Sequence, residues 1–246
     1  MSANRPVALI TGASRRLGAA IARTLHAAGY DLALHHRRDD DRMDALAAEL
    51  EGARARSTLV LRAELADIDA LPLLIADTVT HFDRIDALVN NASAFFPTPI
   101  GSVTPQQWDL LFAANARAPF FLAQAAAVHL RATGGAIVNL VDIYAERPLK
   151  NHTLYCMAKA ALVMLTLSLA KELGPEVRVN GIAPGAVLWP ETGMAPADQQ
   201  RLLASTALQR VGDPQDVANA ALFLIRDARY TTGEILRVDG GRNLSM

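Results

Sequence analysis

Asp142, Tyr155 and Lys159 lie in one stretch, VDIYAERPLKNHTLYCMAK, with the carboxylate thirteen positions ahead of the phenol. Tyr155 and Lys159 are four apart at the start of a helical period, so both project from one helix face and can meet. A phenol with a pKa of about 10 cycles its proton slowly at neutral pH, whereas a nearby ammonium favours the phenolate and makes the pair a usable acid/base. A chance aromatic–cation pair on a helix surface would have the same spacing. Asn115 offers a third group through its backbone. Pro119, four residues on, has no N–H for the Asn115 carbonyl, so a helix through FAANARAPFFLAQA should bend and leave that carbonyl free to hold a water for Lys159. A kink needed only for packing is the alternative.

Placing these groups requires a scaffold, and the chain supplies its pattern. Short apolar runs at 7–11, 31–35, 58–62, 86–90, 136–141, 177–184 and 234–238 alternate with helical periods at 17–28, 40–54, 68–82, 105–131, 154–173 and 214–226. This alternation predicts an α/β fold: a Rossmann-type, doubly wound parallel sheet of about seven strands in a single domain spanning 1–246. Strands covered on both faces read as nearly unbroken apolar runs, as these do. Thr104-Pro105 with Gln107 predicts a capped helix start, and Asp213-Pro214 repeats the cap and proline. The segment 186–208 has no clear period; it reads as a lid or binding loop, or as an unresolved helix pair. In an open parallel sheet, ligands bind off the carboxyl ends of the strands, where the Gly12 turn, Asn91, Asp142 and Pro184-Gly185 all fall.

TGASRRLGAAIA follows the first strand, and Gly12 and Gly18 bracket a turn that feeds a helix. A pyrophosphate needs this context: backbone close enough to touch, plus the free N–H groups and partial positive charge of a helix N-terminus. An ordinary Gly-rich turn is the alternative. Arg15 and Arg16 add two guanidinium groups beside the phosphate position, unless they are simply a solvated surface pair. The second strand ends in His36-Arg37-Arg38, where an NAD site would place an acid against the ribose 2'-hydroxyl. Two arginines there favour a 2'-phosphate, hence NADPH; with the aspartates that follow, the alternative is a salt-bridged surface turn. His35 and His36 point to opposite strand faces and do not read as a metal pair, and no metal site is expected.

Composition bounds the rest. The chain has 246 residues, 51% hydrophobic and 20% charged, which is the balance of a globular protein. A net charge of -1 provides no general field for nucleic acid or an acidic membrane. Cys156 is the single cysteine, so neither an internal disulfide nor a thiolate metal cage can form; it reads as buried filler. The N-terminus lacks the apolar core of a signal peptide, and no run approaches the roughly 20 apolar residues of a membrane span, which together predict a cytoplasmic protein.

In order along the chain, TGAS, NNAS, YCMAK, RVNGIAPG and VDGG make it similar to the short-chain dehydrogenase/reductases, over nearly its whole length. Within them it resembles the pteridine reductases and related dihydromonapterin and dihydrofolate reductases, through TGASRRLG, LHAAGYDLALHHRR, NNASAFFPTPI, VDIYAERPLKNHTLYCMAKAAL and YTTGEILRVDGG. The resemblance implies NADPH, a small pterin or folate substrate and a homotetramer. It implies that Asp142, Tyr155, Lys159 and Asn115 are catalytic. It assigns the cofactor to Gly12, Ser14, Arg15, Arg16, Leu17, Gly18, His36, Arg37, Arg38, Glu64, Leu65, Asn91, Ala92, Ser93, Tyr155, Lys159, Pro184 and Gly185. Phe95 would stack on the pterin, with Arg16, Ser93, Asp142 and Tyr155 at its edge, and Trp189 would close over it or merely pack its loop. Most of the superfamily places a serine near Asp142 to bond a substrate carbonyl and its developing oxyanion. A carboxylate would repel that charge, but it suits a substrate that is reduced at C=N and presents ring N–H donors. Two positions depart from the pteridine reductase pattern: Arg38-Asp39 replaces the frequent Arg-Ser, and Glu64 replaces the aspartate usually beside adenine. A carbonyl or quinone reductase of the same superfamily is the competing expectation, and an idle NADPH-binding regulator a third.

Overall fold

The computed structural model describes residues 5–38, 41–187, 193 and 195–245. Seven strands form one sheet in the order β3-β2-β1-β4-β5-β6-β7, every neighbouring pair parallel. They are β1 Val7–Ile10, β2 Asp31–His36, β3 Thr58–Arg62, β4 Ala87–Asn90, β5 Ala136–Leu140, β6 Arg178–Pro184 and β7 Ile235–Val238. Helices cover both faces, so the central strands are closed to solvent on both sides; every residue of β1, β2, β4 and β5 is buried. One core lies under α1 (Arg16–Ala27), α2 (Asp41–Ala53) and α8 (Pro214–Leu222), built on residues such as Ile10, Ile21, Leu25 and Leu34. The other lies under α3 (Ala70–Phe82), α5 (Ala118–Thr133) and α6 (Thr153–Glu172), around Leu9, Leu71, Leu88 and Leu122. Each such side chain contributes about 1.5–3 kcal/mol by leaving water.

The strand order reverses between β1 and β4, and this switch point opens the crevice in which the predicted residues gather. Thr104 and Gln107 form a reciprocal capping box at α4 (Pro105–Phe112), and Asp213 with Asp216 does the same at α8.

Four expectations need correction. The single bent helix over 105–131 is two helices, α4 and α5, joined by a π-helical turn at Ala113–Arg117. The widened turn passes the Ala113 carbonyl to the N–H of Ala118, just before the proline that would break an α-helical ladder. A second π-turn, Phe223–Asp227, ends α8 early. Among its described residues, the aperiodic 186–208 segment contains one helix, α7 (Pro196–Ala204), which buries no residue and so carries no apolar stripe to read; residues 188–192 and 194, Trp189 among them, lie outside those described. Finally, α6 is long and apolar enough to cross a membrane, with 20 residues and a mean hydropathy of 1.6. The interrupting Lys159 and Thr166 disguise the run in sequence, and both side chains are buried inside the fold, where this helix forms part of the core.

Candidate active site

At the phosphate end, Thr11 and Asn91 clamp β1 to β4. The Thr11 hydroxyl accepts from the N–H groups of Asn91 and Ala92 at 3.0 Å, and Asn91 Nδ2 donates to the carbonyls of Thr11 and Gly12 at 2.8 and 2.9 Å. Gly12 has a φ of +64°, where any Cβ would be strained and would also press on Ala92 at 3.0 Å. Gly18 lies within the first turn of α1, and a Cβ there would meet Asn91 Nδ2 at 2.7 Å as well as the Gly12 carbonyl. The N-terminus of α1 has no side-chain cap and no acid in its first turn. A helix start of this kind suits an anion, and it is flanked by the exposed Arg15 and Arg16. Ser14 is half-buried in the turn between Ala13 and Arg15.

At the adenosine end, β2 delivers His36, whose Nδ1 is buried without a partner, an opening for a ligand hydrogen bond. Arg37 and Arg38 follow, both exposed, with Arg37 Nε 3.9 Å from Glu64. Leu65 is buried beside Glu64. An uncapped helix start, a glycine turn, an orphaned imidazole nitrogen and two arginines match the donor set that a phosphorylated dinucleotide needs. Among the described residues no group of three His, Cys, Asp or Glu side chains could hold a metal ion.

The chemical end is drier. Asp142 follows β5 and caps a short 3-10 turn, accepting the Tyr144 N–H at 2.9 Å on Oδ1. Its Oδ2 accepts the Tyr155 hydroxyl at 2.7 Å. Lys159 is almost wholly buried; its Nζ donates to the Leu140 carbonyl at 2.7 Å and lies 5.8 Å from the centroid of the Tyr155 ring. Burial pushes the Asp142 carboxyl above its usual range, although the Tyr155 hydroxyl, the Tyr144 N–H, Lys159 and Arg242 all pull the other way. Burial lowers the Lys159 ammonium to about 8, with Asp142 opposing.

Tyr155 departs from the sequence argument. Burial, and then the adjacent Asp142 carboxylate, push its phenol well above the ordinary value. The expected pull of Lys159 toward phenolate is outweighed because the carboxylate is a hydrogen bond away while the ammonium is turned to a backbone carbonyl. The group present is therefore a neutral phenol with its proton aimed at a carboxylate, a proton donor rather than a preformed base.

The side chain of Asn115 makes contacts of its own, beyond the carbonyl on which the sequence reading rests. Its Nδ2 donates to the Ala94 and Leu111 carbonyls, each at 2.9 Å, and its Oδ1 accepts from Ser93 Oγ at 2.7 Å. The π-turn thereby holds the 93–95 loop against the site. Phe95, from that loop, is 55% exposed, stacks on His152 at 4.7 Å and meets the Tyr155 ring edge-on at 4.8 Å. A flat ring could be continued on this platform.

Arg16, Leu17, Asn91, Ser93, Asp142, Tyr155, Lys159, Pro184 and Gly185 line one cleft of about 180 Å³. A larger hollow of about 470 Å³ between α1 and α8 holds none of the predicted site residues. Several contributors escape a reading of sequence. The Leu140 carbonyl and Val141 act through backbone or shape, which residue type does not encode. His152 reaches the site from the N-cap position of α6 and Arg242 from a short 3-10 turn, Arg242–Leu244, with Arg242 Nη2 donating to the Tyr144 hydroxyl at 3.3 Å.

Comparison with known proteins agrees with this geometry. A family model described as enoyl-(acyl carrier protein) reductase matches residues 12–243. Pteridine reductase 1 of Leishmania tarentolae is 35% identical over 99% of this chain and 98% of its own length. The 3-oxoacyl-[acyl-carrier-protein] reductase FabG of Staphylococcus aureus (strain Mu50) is 32% identical over 95% and 96%, and L-xylulose reductase of Caenorhabditis elegans 37% identical over 95% and 94%. With this sheet order, glycine turn and Tyr/Lys helix, the chain belongs to the short-chain dehydrogenase/reductase family of oxidoreductases.

Proposed function

We propose that the protein is an NADPH-dependent reductase of pterin-type substrates, converting a dihydropterin or dihydrofolate to its tetrahydro form. The observation that carries this reading is the carboxylate of Asp142, hydrogen-bonded to the Tyr155 hydroxyl at 2.7 Å where most of the superfamily has a serine. A carboxylate accepts from ring N–H groups and destabilises an alkoxide, so it favours a C=N bond over a ketone. When bound, NADPH would supply the hydride to the substrate carbon. Arg37 and Arg38 would hold its 2'-phosphate, the α1 N-terminus its pyrophosphate, and Lys159, with Tyr155, its ribose. Asp142 orients the substrate and Tyr155; Tyr155 gives its phenolic proton to the ring nitrogen, and the phenol is restored from solvent through Asp142. The product then carries one added C–H and one added N–H. Phe95 stacks on the pterin, Ser93 and Arg16 bond its edge, and Asn115 keeps that loop in place. We place the enzyme in the cytoplasm as a homotetramer, its contacts supplied by exposed apolar residues of α4 to α6 such as Leu110, Val128 and Met164.

The second reading, a carbonyl reductase, is favoured by the ketoacyl and xylulose reductases that match at similar identity. Turnover of dihydropterin, dihydrofolate and a simple ketone, measured side by side with NADPH, separates the two. Ketone turnover with every reduced pterin ignored would replace the first reading by the second.

A further inference from the structure

We infer that His35, which none of the chemistry above uses, is a positioning residue for the dinucleotide turn, fixing the Gly12 peptide so that the donors of the α1 N-terminus face the pyrophosphate. The imidazole is 1% exposed at the end of β2. Its Nδ1 receives the Gly12 N–H at 3.3 Å, and its Nε2 lies 3.1 Å from the Ala63 carbonyl, next to Glu64. Both bonds form together only in the neutral tautomer with the proton on Nε2, and burial, which drives the imidazole down to about 4, keeps it neutral. The other Gly12 polar group, its carbonyl, is held by Asn91 Nδ2. The Ala13 N–H goes to the His35 backbone carbonyl at 2.9 Å and the Thr11 N–H to the Val89 carbonyl at 3.0 Å. The N–H groups of residues 11 to 13 are therefore all spent on the protein. Donors offered to a ligand begin at Ser14, and their direction is set by a peptide clamped from β4 on one side and β2 on the other. One ring thus ties the phosphate end, at Gly12, to the adenosine end, at Ala63.

This inference rests on the NADPH reading, and its test separates the two. Full-length protein is titrated with NADPH by fluorescence, and steady-state constants are taken for the wild type, His35→Asn, His35→Gln and His35→Leu. Asn places an acceptor where Nδ1 stood, whereas Gln keeps only a donor toward Ala63 and Leu keeps neither. The expected result is about tenfold weaker NADPH binding for Gln and Leu, near-wild-type binding for Asn, and kcat at saturating NADPH unchanged throughout. Gln and Leu binding NADPH as the wild type does, or Asn failing as badly as Leu, would overturn the positioning role. Nitrogen-15 NMR of the wild-type ring needs no variant: the inference requires the Nε2–H tautomer with and without NADPH, and a proton on Nδ1 sinks it. A wild type that does not bind NADPH at all instead removes the cofactor reading.

Discussion

The two ends of the crevice are built on opposite plans. At the cofactor end the charged groups, Arg15, Arg16, Arg37, Arg38 and Glu64, are exposed, and the precision comes from backbone clamped by Thr11, His35 and Asn91. At the chemical end the ionisable groups are themselves enclosed: Asp142, Tyr155 and Lys159 share a site where burial shifts each of them. Exposed charge binds strongly but is screened and replaceable, whereas enclosed charge is weakly screened and fails when one member is lost. Substitutions at the two ends should therefore differ in kind.

The largest effect is expected at Asp142. Asp142→Asn keeps shape and removes the ionisable oxygen, and pterin turnover should fall by at least about 100-fold with the KM for NADPH unchanged. Asp142→Ser should lose pterin turnover equally while ketone turnover stays level or rises. Ketone and pterin rates falling together would show that the carboxylate serves the whole site rather than one substrate class.

Lys159→Met comes next, with a loss of about 100-fold in kcat. It also carries a stability signature. The ammonium titrates near 8 in the fold, below its ordinary 10.5. Between those values the unfolded chain binds more protons than the folded one, so stability from this group rises with pH across the window. The burden present below pH 8 is about 3 kcal/mol. Denaturant unfolding of wild type and Lys159→Met from pH 7 to 10 checks the sign: the wild type should gain on the variant as pH rises. A constant gap would mean that Lys159 is not held as a buried cation.

This contrast also explains what could be read from the chain. The sheet, its strand ends and the glycine turn are legible because they depend on local periodicity and on residues within a dozen positions of each other. Tyr155 and Lys159 are legible for the same reason. The state of Tyr155 is not, since it is decided by how far each charge stands from the phenol in three dimensions, and spacing alone suggested the wrong neighbour. His35 is similar: its strand position is plain, but its service to Gly12 needs the β1–β2 register, which pairs Ile10 with Leu34. The π-turn was only half visible; Pro119 signals a disturbance without saying that the side chain of Asn115 would use it to hold Ser93 and Ala94.

At the cofactor end, Arg37→Ser combined with Arg38→Ser should raise the KM for NADPH by about 10- to 100-fold, the worth of one or two charge-assisted bonds to a phosphate. kcat at saturating NADPH should hold, and the preference over NADH should shrink by the same factor. A fall in kcat instead would mean that these arginines shape the site beyond the 2'-phosphate.

The smallest effect sharpens the comparison most. Glu64 lies 3.9 Å from Arg37, with both side chains 54% exposed, so the pair is a solvent-screened contact worth little by itself. Glu64→Gln should change the KM for NADPH by about twofold or less. Salt should act through the same exposure. With a Debye length of about 10 Å at 0.1 M ionic strength, raising the salt from 0.05 to 0.5 M, as an approximate range, should weaken NADPH binding progressively and leave kcat nearly flat. The flat kcat follows from the enclosure of Asp142 and Lys159, whose mutual field crosses protein rather than electrolyte. If kcat fell with salt in step with NADPH affinity, the charges at the chemical end would have to be open to ions, and the division between an exposed binding end and an enclosed reacting end would fail.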